Sequence, residues 1–393
     1  MMSTVTDRPL ASPTAPARNA YIDTLRGVAI FGVAIIHFGG SFVNGDHAWS
    51  PSFYLGLILG QFFNFAVPLF IFLSGALAGA STKAPGSLWQ YYRGRIVRIV
   101  LPYLAASLVS FFVLNHYPTW EALPTAGEKA SWLVVRIFYL GVEPTLYFIP
   151  LILSLYLVQP ALKALPRWIH ALTQRVAGPA VRYEQVVVGL SLLFLGLHVV
   201  LGVLCFRSIL SYYTWCRPCG LFWLVYFFTG LHFKTLASFL NRRRWLILGV
   251  LALLVAAGAM AFDFRYLTDR SLVGAHFEFN NTDFAYCRPQ LLVYDLAVVA
   301  ACAVGLGLGW TWRASIVSFL GPYTLDIYLW HILLLYEGAW RYDEVLEACR
   351  QMPEVIVVIA ASACLVLAGA KYLYVTAIGL IRQYRLVLIH NPW

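Results

Sequence analysis

Residues 186–206 read VVVGLSLLFLGLHVVLGVLCF, a run longer than the ~17 residues that an apolar helix needs to cross about 30 Å of hydrocarbon. Residues 54–72 and 246–262 form similar runs. Over the whole chain 60% of the residues are hydrophobic and 12% are charged, whereas a soluble domain carries about 25% charged residues. The sequence therefore predicts an all-α, polytopic membrane protein and excludes a large soluble module.

The hydrophobic pattern divides the chain into about ten transmembrane helices, which we expect to surround a polar central cavity. The predicted spans are residues 25–43, 54–79, 96–115, 144–162, 186–206, 219–233, 245–262, 289–310, 317–337 and 354–380. Residues 1–20 are polar and contain no apolar signal-peptide core, which predicts a disordered cytosolic tail. We expect residues 21–380 to form the membrane domain and residues 381–393 to form a cytosolic C-terminal tail.

Charge is distributed unevenly among the predicted loops. Alternate loops carry Lys and Arg with almost no acid, whereas the others mix both signs. This positive-inside pattern predicts that both termini lie in the cytosol. Because the net charge of +10 is dispersed among these loops, it fits anionic lipid headgroups better than nucleic acid. Membrane lipid is therefore an expected partner, and nucleic acid is not.

The first predicted span contains two ionisable residues that are costly to place in a membrane. His37 lies eleven positions after Arg26, which is three helical turns and about 16 Å, so both side chains are expected on one helix face and in one cavity. A neutral histidine at that depth can act as a general base toward an alcohol. The alternative is structural: Arg26 reaches toward headgroups, and His37 bonds a neighbouring carbonyl.

The third predicted span begins with a cluster of arginines. Arg95 and Arg98 are three residues apart and share a helix face, and Arg93 lies just before them. Guanidinium groups suit the phosphates of a nucleotide-like donor, although simple anchoring at the cytosolic boundary is the alternative.

Further polar residues lie within or beside the apolar spans. Ser74 lacks the G-x-S-x-G setting of a nucleophile, so packing beside Gly75 is the better interpretation. Asp295 and Asp326 are expected to pair with an arginine or a tyrosine in structural roles. His331 lies in the same run as Asp326. No histidine or cysteine cluster has metal-ligand spacing, so no metal is expected.

The segment WCRPC at 215–219 has the spacing of a thioredoxin redox motif. Here it starts a predicted membrane helix instead of following a strand, so a redox role lacks its structural context. We expect either a disulfide between Cys216 and Cys219 or two free thiols.

Taken in order, these motifs resemble the acyltransferase-3 family of membrane acyltransferases. The resemblance is carried by Arg26 and His37, by VPLFIFLSG at 67–75, by Arg95 and Arg98, by YFIP at 147–150, and by the segment from Tyr328 to His331. The family usually has tryptophan in the fourth of these elements, YFIP, where this chain has Tyr147, which leaves the role of Tyr147 open.

The resemblance implies transfer of an acyl group, most often acetyl, from cytosolic acyl-CoA to a hydroxyl of a glycan or lipid-linked saccharide in the bacterial inner membrane. It implies catalysis by His37 and Arg26 and donor binding by Arg93, Arg95 and Arg98. It also implies substrate or cavity positions for Ser74, Tyr147, Tyr328 and His331. We expect a similar position for Glu143, which lies at the outer end of the fourth predicted span. Whether an acyl-enzyme forms stays open, as does the oligomeric state, with a dimer as one option.

Two other functions use the same polar residues. A secondary transporter would line its permeation path with them and would consume no thioester. A non-catalytic accessory of glycan export would tolerate replacement of Arg26, His37, Arg95 and Arg98.

Overall fold

The computed structural model describes residues 19–43, 50–81, 87–114, 116–177, 180–271, 286–335, 347 and 349–390. These residues form α-helices joined by short 3₁₀ and π turns. The helices are α1 Ala20–Gly40, α2 Pro51–Phe62, α3 Ala66–Ala80, α4 Leu88–Arg95, α5 Leu101–Val113, α6 His116–Glu121, α7 Ala126–Val135, α8 Phe148–Ala177, α9 Tyr183–Phe206, α10 Leu224–Leu231, α11 Phe233–Ala237, α12 Arg242–Ser271, α13 Pro289–Gly307, α14 Ser315–Leu320, α15 Thr324–Leu335 and α16 Glu354–His390.

The described part of the chain contains nine helical segments that are long and apolar enough to cross a membrane. They are Ala20–Gly40, Pro51–Ala80, Leu88–Val113, Pro144–Val176, Tyr183–Phe206, Arg242–Tyr266, Pro289–Gly307, Ser315–Leu335 and Glu354–Gly379. The predicted all-α membrane architecture is therefore confirmed. These segments correspond to nine of the ten predicted spans.

The predicted span at 219–233 is the exception. It contains α10, whose eight residues make a helix about 12 Å long, less than half of the ~30 Å hydrocarbon thickness. Pro218 and Gly220 lie in the turns that precede α10 and interrupt any longer helix. This segment is apolar, as predicted, but it does not form the single continuous helix that the hydrophobic pattern predicts.

The broken segment still runs the length of its neighbour α9, in the opposite direction. Phe194 stacks edge-on against Phe228 with ring centroids 4.9 Å apart. One turn further along α9, His198 packs against Phe222 at 4.3 Å. The segment therefore brings the chain back along the bundle, as a tenth crossing would.

Polar side chains bind the backbone where this crossing is not helical. The Nδ1 of His198 donates to the carbonyl of Phe222 at 2.7 Å, and the Nε1 of Trp223 donates to the carbonyl of Cys216 at 3.1 Å. Inside a bilayer such carbonyls have no water to bind, so these two donors stabilise the break.

Small residues allow α10 to pack directly on α3. A Cβ atom placed on Gly75 would collide with the backbone of Phe227, and one placed on Gly230 would collide with the backbone of Phe72. Apolar lipid supplies no hydrophobic drive between helices, so close backbone contact of this kind provides the van der Waals attraction. The predicted role of Gly75 in close packing is confirmed.

Helix α1 occupies the centre of the bundle, in contact with α2, α3, α14, α15 and α16. Hydrogen bonds tie it to its neighbours: Thr24 bonds to Ser318 at 2.5 Å, and Tyr21 donates to the carbonyl of Cys302 at 3.1 Å. The central position of α1 turns most of its length, including the segment from Arg26 to His37, toward protein and away from lipid.

The carboxylates inside the bundle have structural partners. Asp295 accepts a hydrogen bond from the amide of Asn64 at 2.9 Å, and Asp326 pairs with Lys371 at 2.8 Å. Both acids hold neighbouring helices together, as expected, but the partners are an amide and a lysine, and not the predicted arginine or tyrosine. A third pair, Asp263 with Arg288 at 3.0 Å, is fully buried and joins α12 to the start of α13.

The structure describes only one of the two predicted tails. Residues 1–18 lie outside the described part of the chain. At the other end, α16 continues as far as His390, so most of the segment 381–393 that we expected to be a tail is helical.

Candidate functional site

A cavity of about 1170 Å³ opens between helices α3, α4, α8 and α15 and the π turn Ile96–Val100 that follows α4. Its lining carries five cationic side chains, namely Arg26, Arg95, Arg98, Lys163 and Arg167. One carboxylate, Asp326, is also in the lining, and Lys371 pairs with it. The space is larger than the roughly 300–1,000 Å³ of common small-molecule sites. We refer to it as the cationic cavity.

Arg95 is the most firmly held of these cations. Its guanidinium lies 4.1 Å from the ring centroid of Tyr91 and 5.0 Å from that of Tyr156. The Tyr91 hydroxyl in turn donates to Gln159 Oε1 at 2.7 Å. Stacking on two aromatic faces orients a guanidinium while leaving its N–H groups for a ligand.

Arg98 joins Arg95 in the lining, as their three-residue spacing predicts, whereas Arg93 does not. Arg93 is exposed at the surface. Two residues along a helix turn the side chain by about 200°, so Arg93 and Arg95 point to opposite sides. Arg93 is thus outside the cavity lining that the described residues form, and its predicted part in donor binding stays a prediction.

Arg26 reaches the cavity from the central helix. Its Nη2 donates to the hydroxyl of Thr324 at 2.7 Å, which fixes the guanidinium against the start of α15. Ser74 also lines the cavity, half-buried on α3. The structure thus brings Arg26, Ser74, Arg95 and Arg98 together around one space.

Tyr328 and Phe148 form the inner end of this space. The Tyr328 hydroxyl donates to the carbonyl of Thr145 and accepts from the backbone N–H of Phe148 at 3.2 Å. Both bonds go to backbone groups, so the ring has a defined position across the end of the cavity.

His37 lies beyond that ring and is not in the cavity lining that the described residues form. It faces His331, with imidazole centroids 5.2 Å apart. His331 follows Tyr328 by one helical turn, about 4.5 Å, and the rings of Tyr328 and His331 are 5.7 Å apart. Among the described residues, His37 is therefore not in the lining of the cavity that Arg26 and Tyr328 line, although the sequence predicts Arg26 and His37 in one cavity.

The bonding of His331 determines its tautomer. Its Nδ1 lies 2.7 Å from the carbonyl of Tyr328, and a carbonyl can only accept, so Nδ1 carries the proton. The Nε2 of the neutral ring is then a bare acceptor. It is buried, and no described residue donates to it. A proton acceptor without a partner thus lies beside His37.

The remaining predicted positions lie near the opposite end of the bundle from the arginine cluster. Glu143 bonds to His116 at 2.7 Å and so ties α6 to the start of the α8 span. Tyr147 lies under the guanidinium of Arg217, which is 4.3 Å from the ring centroid, and its hydroxyl donates to Tyr286 at 3.2 Å. Tyr147 is thus near the histidine pair, whereas Glu143 holds the surface helices.

The cysteines form a different group from the one that WCRPC suggests. The thiol of Cys216 contacts those of Cys205 and Cys287, whereas Cys219 interacts with Tyr139. All of these thiols are free. Among the residues that the structure describes, no cluster of histidine, cysteine and acid side chains can hold a metal ion.

A family model described as an acyltransferase domain matches residues 19–375. The chain belongs to the acyltransferase-3 family. The predicted family is thereby confirmed, and the protein is a membrane acyltransferase. No curated protein and no solved structure matches the chain in the corresponding comparisons.

Sequence reasoning missed part of the site of this acyltransferase-3 protein. Lys163 and Arg167 line the cavity, but their place in a positive loop suggested only topology. The signal that identifies them is spacing: together with Gln159 they recur every four residues on α8 and so share one face.

Proposed function

We propose that this acyltransferase takes an acyl group, most simply acetyl, from acyl-CoA in the cationic cavity and transfers it to a hydroxyl of a glycan or lipid-linked saccharide. The observation that carries the proposal is the concentration of five cations in one cavity, where Asp326, the one carboxylate among the described lining residues, is already paired with Lys371. Such a site suits a ligand with several phosphates.

We assign the phosphates of acyl-CoA to the mouth of the cationic cavity. Arg95 and Arg98 approach from one wall, and Lys163 and Arg167 from the other. Arg95 is stacked between two tyrosine rings, so the direction of its N–H groups is fixed before the donor binds. Little side-chain conformational entropy is therefore lost when the donor binds. This end of the protein would face the cytosol, consistent with the positive-inside pattern.

Arg26 and Tyr328 then define the position of the thioester. The acyl end of an extended donor would pass Arg26 and stop at Tyr328, about one helical turn from the histidine pair. Transfer requires the Tyr328 ring to move aside, so that the thioester carbonyl meets the acceptor hydroxyl near His37.

The chemistry assigned to His37 is general-base catalysis. Its imidazole takes the proton of the acceptor hydroxyl as the hydroxyl oxygen attacks the thioester carbon. The C–O bond forms and the C–S bond breaks. The proton then passes from the imidazole to the leaving sulfur of CoA. We assign Arg26, which lines the cavity beside Tyr328, to stabilise the negative charge that develops on the donor. The bare Nε2 of His331 can hold the His37 ring by accepting an N–H bond from it.

The test is release of free CoA by protein purified in detergent, given acetyl-CoA and saccharide acceptors and followed with a thiol reagent. His37→Ala should reduce the rate about 10²- to 10⁴-fold while leaving the melting temperature unchanged. His170→Ala is the matched control, since His170 lies on α8 away from the histidine pair. Normal turnover by His37→Ala would remove His37 from the catalytic role.

The same assay separates the enzyme from the transporter alternative. A transporter would move a solute across vesicles and leave the thioester intact. Membership of the acyltransferase-3 family favours the enzyme.

A further inference from the structure

Arg217 lies in the non-helical stretch between α9 and α10, close to the histidine pair. Its Nη2 donates to the carbonyl of Pro144 at 2.8 Å, and its guanidinium stacks on Tyr147 at 4.3 Å. The Nε1 of Trp223 donates to the backbone carbonyl of Arg217 at 3.1 Å, which fixes the main chain at this point. The side chain is therefore held in one orientation and is only half-buried.

Arg217 has no acidic partner among the residues that the structure describes. The described ion pairs involve His116, Arg288, Arg350 and Lys371. A guanidinium has five N–H donors, and the carbonyl of Pro144 and the hydroxyl of Tyr147 cannot neutralise its charge. A cation within a membrane protein that lacks a counter-ion is costly unless a ligand supplies one.

Arg217 lies among aromatic side chains. Tyrosine side chains surround it, and Tyr147 and Tyr286 form a bonded pair beside the guanidinium. Aromatic faces stack on sugar rings, and phenol hydroxyls bond to sugar hydroxyls.

A series of contacts leads from Arg217 to the histidine pair. Arg217 stacks on Tyr147, and the backbone N–H of the next residue, Phe148, donates to the Tyr328 hydroxyl. The Tyr328 ring lies 5.7 Å from that of His331.

We propose that Arg217 binds an oxyanion of the acyl acceptor, so that the acceptor is an acidic saccharide bearing a carboxylate or a phosphate. Tyr147 and Tyr286 contact the sugar ring, and a hydroxyl of that ring faces His37. The donor reaches the histidine pair from the cationic cavity, and the acceptor reaches it from the opposite end of the bundle. The assignment of a saccharide acceptor rests on the proposed function; the anion site rests on Arg217.

Binding can be measured without turnover, by the thermal stability of the detergent-purified protein. Glucuronate and glucose 1-phosphate should raise the melting temperature by about 2 °C at ten times their Kd, whereas glucose at equal concentration should not. Comparison of the two acids identifies which oxyanion is preferred. Equal stabilisation by glucose, or none by either acid, would overturn the proposal.

Two variants test whether Arg217 is responsible for the binding of the acidic sugars. Arg217→Gln should raise the Kd for the acid about tenfold or more while leaving the Kd for CoA unchanged. Arg207→Gln is the matched control, because Arg207 is an exposed arginine at the end of α9. If Arg217→Gln does not fold, Arg217→Lys decides: it keeps the charge and should retain the preference of acid over glucose with weaker binding. Unchanged acid binding in Arg217→Gln, or loss of that preference in a folded Arg217→Lys, would contradict the assignment.

The two proposals fail in different ways. Release of CoA with neutral saccharides but no binding of acids would leave the acyl transfer intact and remove the anion site. Binding of acids that depends on Arg217, without CoA release by any saccharide, would leave the anion site and remove the proposed transfer.

Discussion

The imidazole rings of His37 and His331 face each other at 5.2 Å, one from the central helix α1 and one from α15. Because the Nδ1 of His331 donates to the carbonyl of Tyr328, its Nε2 is left to accept. The second histidine is therefore suited to orient the first, in the way that a third group orients the base of a catalytic triad.

The first prediction concerns this orienting role. His331→Phe keeps the ring and removes the acceptor, so it should lower kcat for CoA release about ten- to hundredfold and leave KM for acetyl-CoA nearly unchanged. His331→Gln, which retains an acceptor, should recover part of the rate. A loss that appears wholly in KM would indicate that His331 shapes the binding site instead.

The second prediction uses two arginines that lie two residues apart. Arg95→Ala should raise the Kd for CoA about tenfold, because it removes a charge-assisted bond to phosphate. Arg93→Ala should change it less than twofold, since Arg93 is exposed outside the cavity. Isothermal titration of both variants in low and high salt measures this difference. Equal effects would show that both act only through general surface charge.

A third prediction addresses the packing of α10 on α3. Gly75→Val forces a side chain into the backbone of Phe227 and should destabilise the fold by about 1–3 kcal/mol. Gly189→Val, which meets nothing within 4 Å, should change stability by less than about 0.5 kcal/mol. Thermal unfolding in detergent provides the comparison, and equal melting temperatures would argue against the close contact.

The fourth prediction concerns the thiol cluster. Mild oxidation should link Cys216 to Cys205 or Cys287, because their thiols are in contact. Peptide mass spectrometry identifies the linked pair, and Cys216→Ser should abolish both products. A bond between Cys216 and Cys219 would show that the stretch before α10 has a different conformation.

The sequence was sufficient to predict the helical spans and the residues that share a helix face, because both follow from the hydrophobic period and from the positions of the polar residues. Nine of the predicted spans form long helices, and Arg95 and Arg98 share a cavity because residues three apart share a helix face. The same argument, applied to Arg93, would have excluded it from that cavity.

The rest depends on contacts between distant segments. No local pattern shows that Tyr328, 291 positions after His37, lines the cationic cavity while its ring packs against the histidine that faces His37. Nor does local hydropathy reveal that Pro218 and Gly220 break a crossing that His198 and Trp223 then stabilise. These features arise from side chains that meet only after the bundle has assembled.

The position of Tyr328 has a consequence for the membrane itself. A wide aqueous vestibule that extended through the bundle would leak protons and dissipate the ion gradient of an energised membrane. The Tyr328 ring, bonded to the backbone at Thr145 and Phe148, lies in the lining of the cationic cavity, and the neighbouring His37 and His331 are not in the lining that the described residues form. An acyltransferase built in this way can hold a large hydrophilic substrate within the bilayer while preserving the electrical insulation of the bilayer.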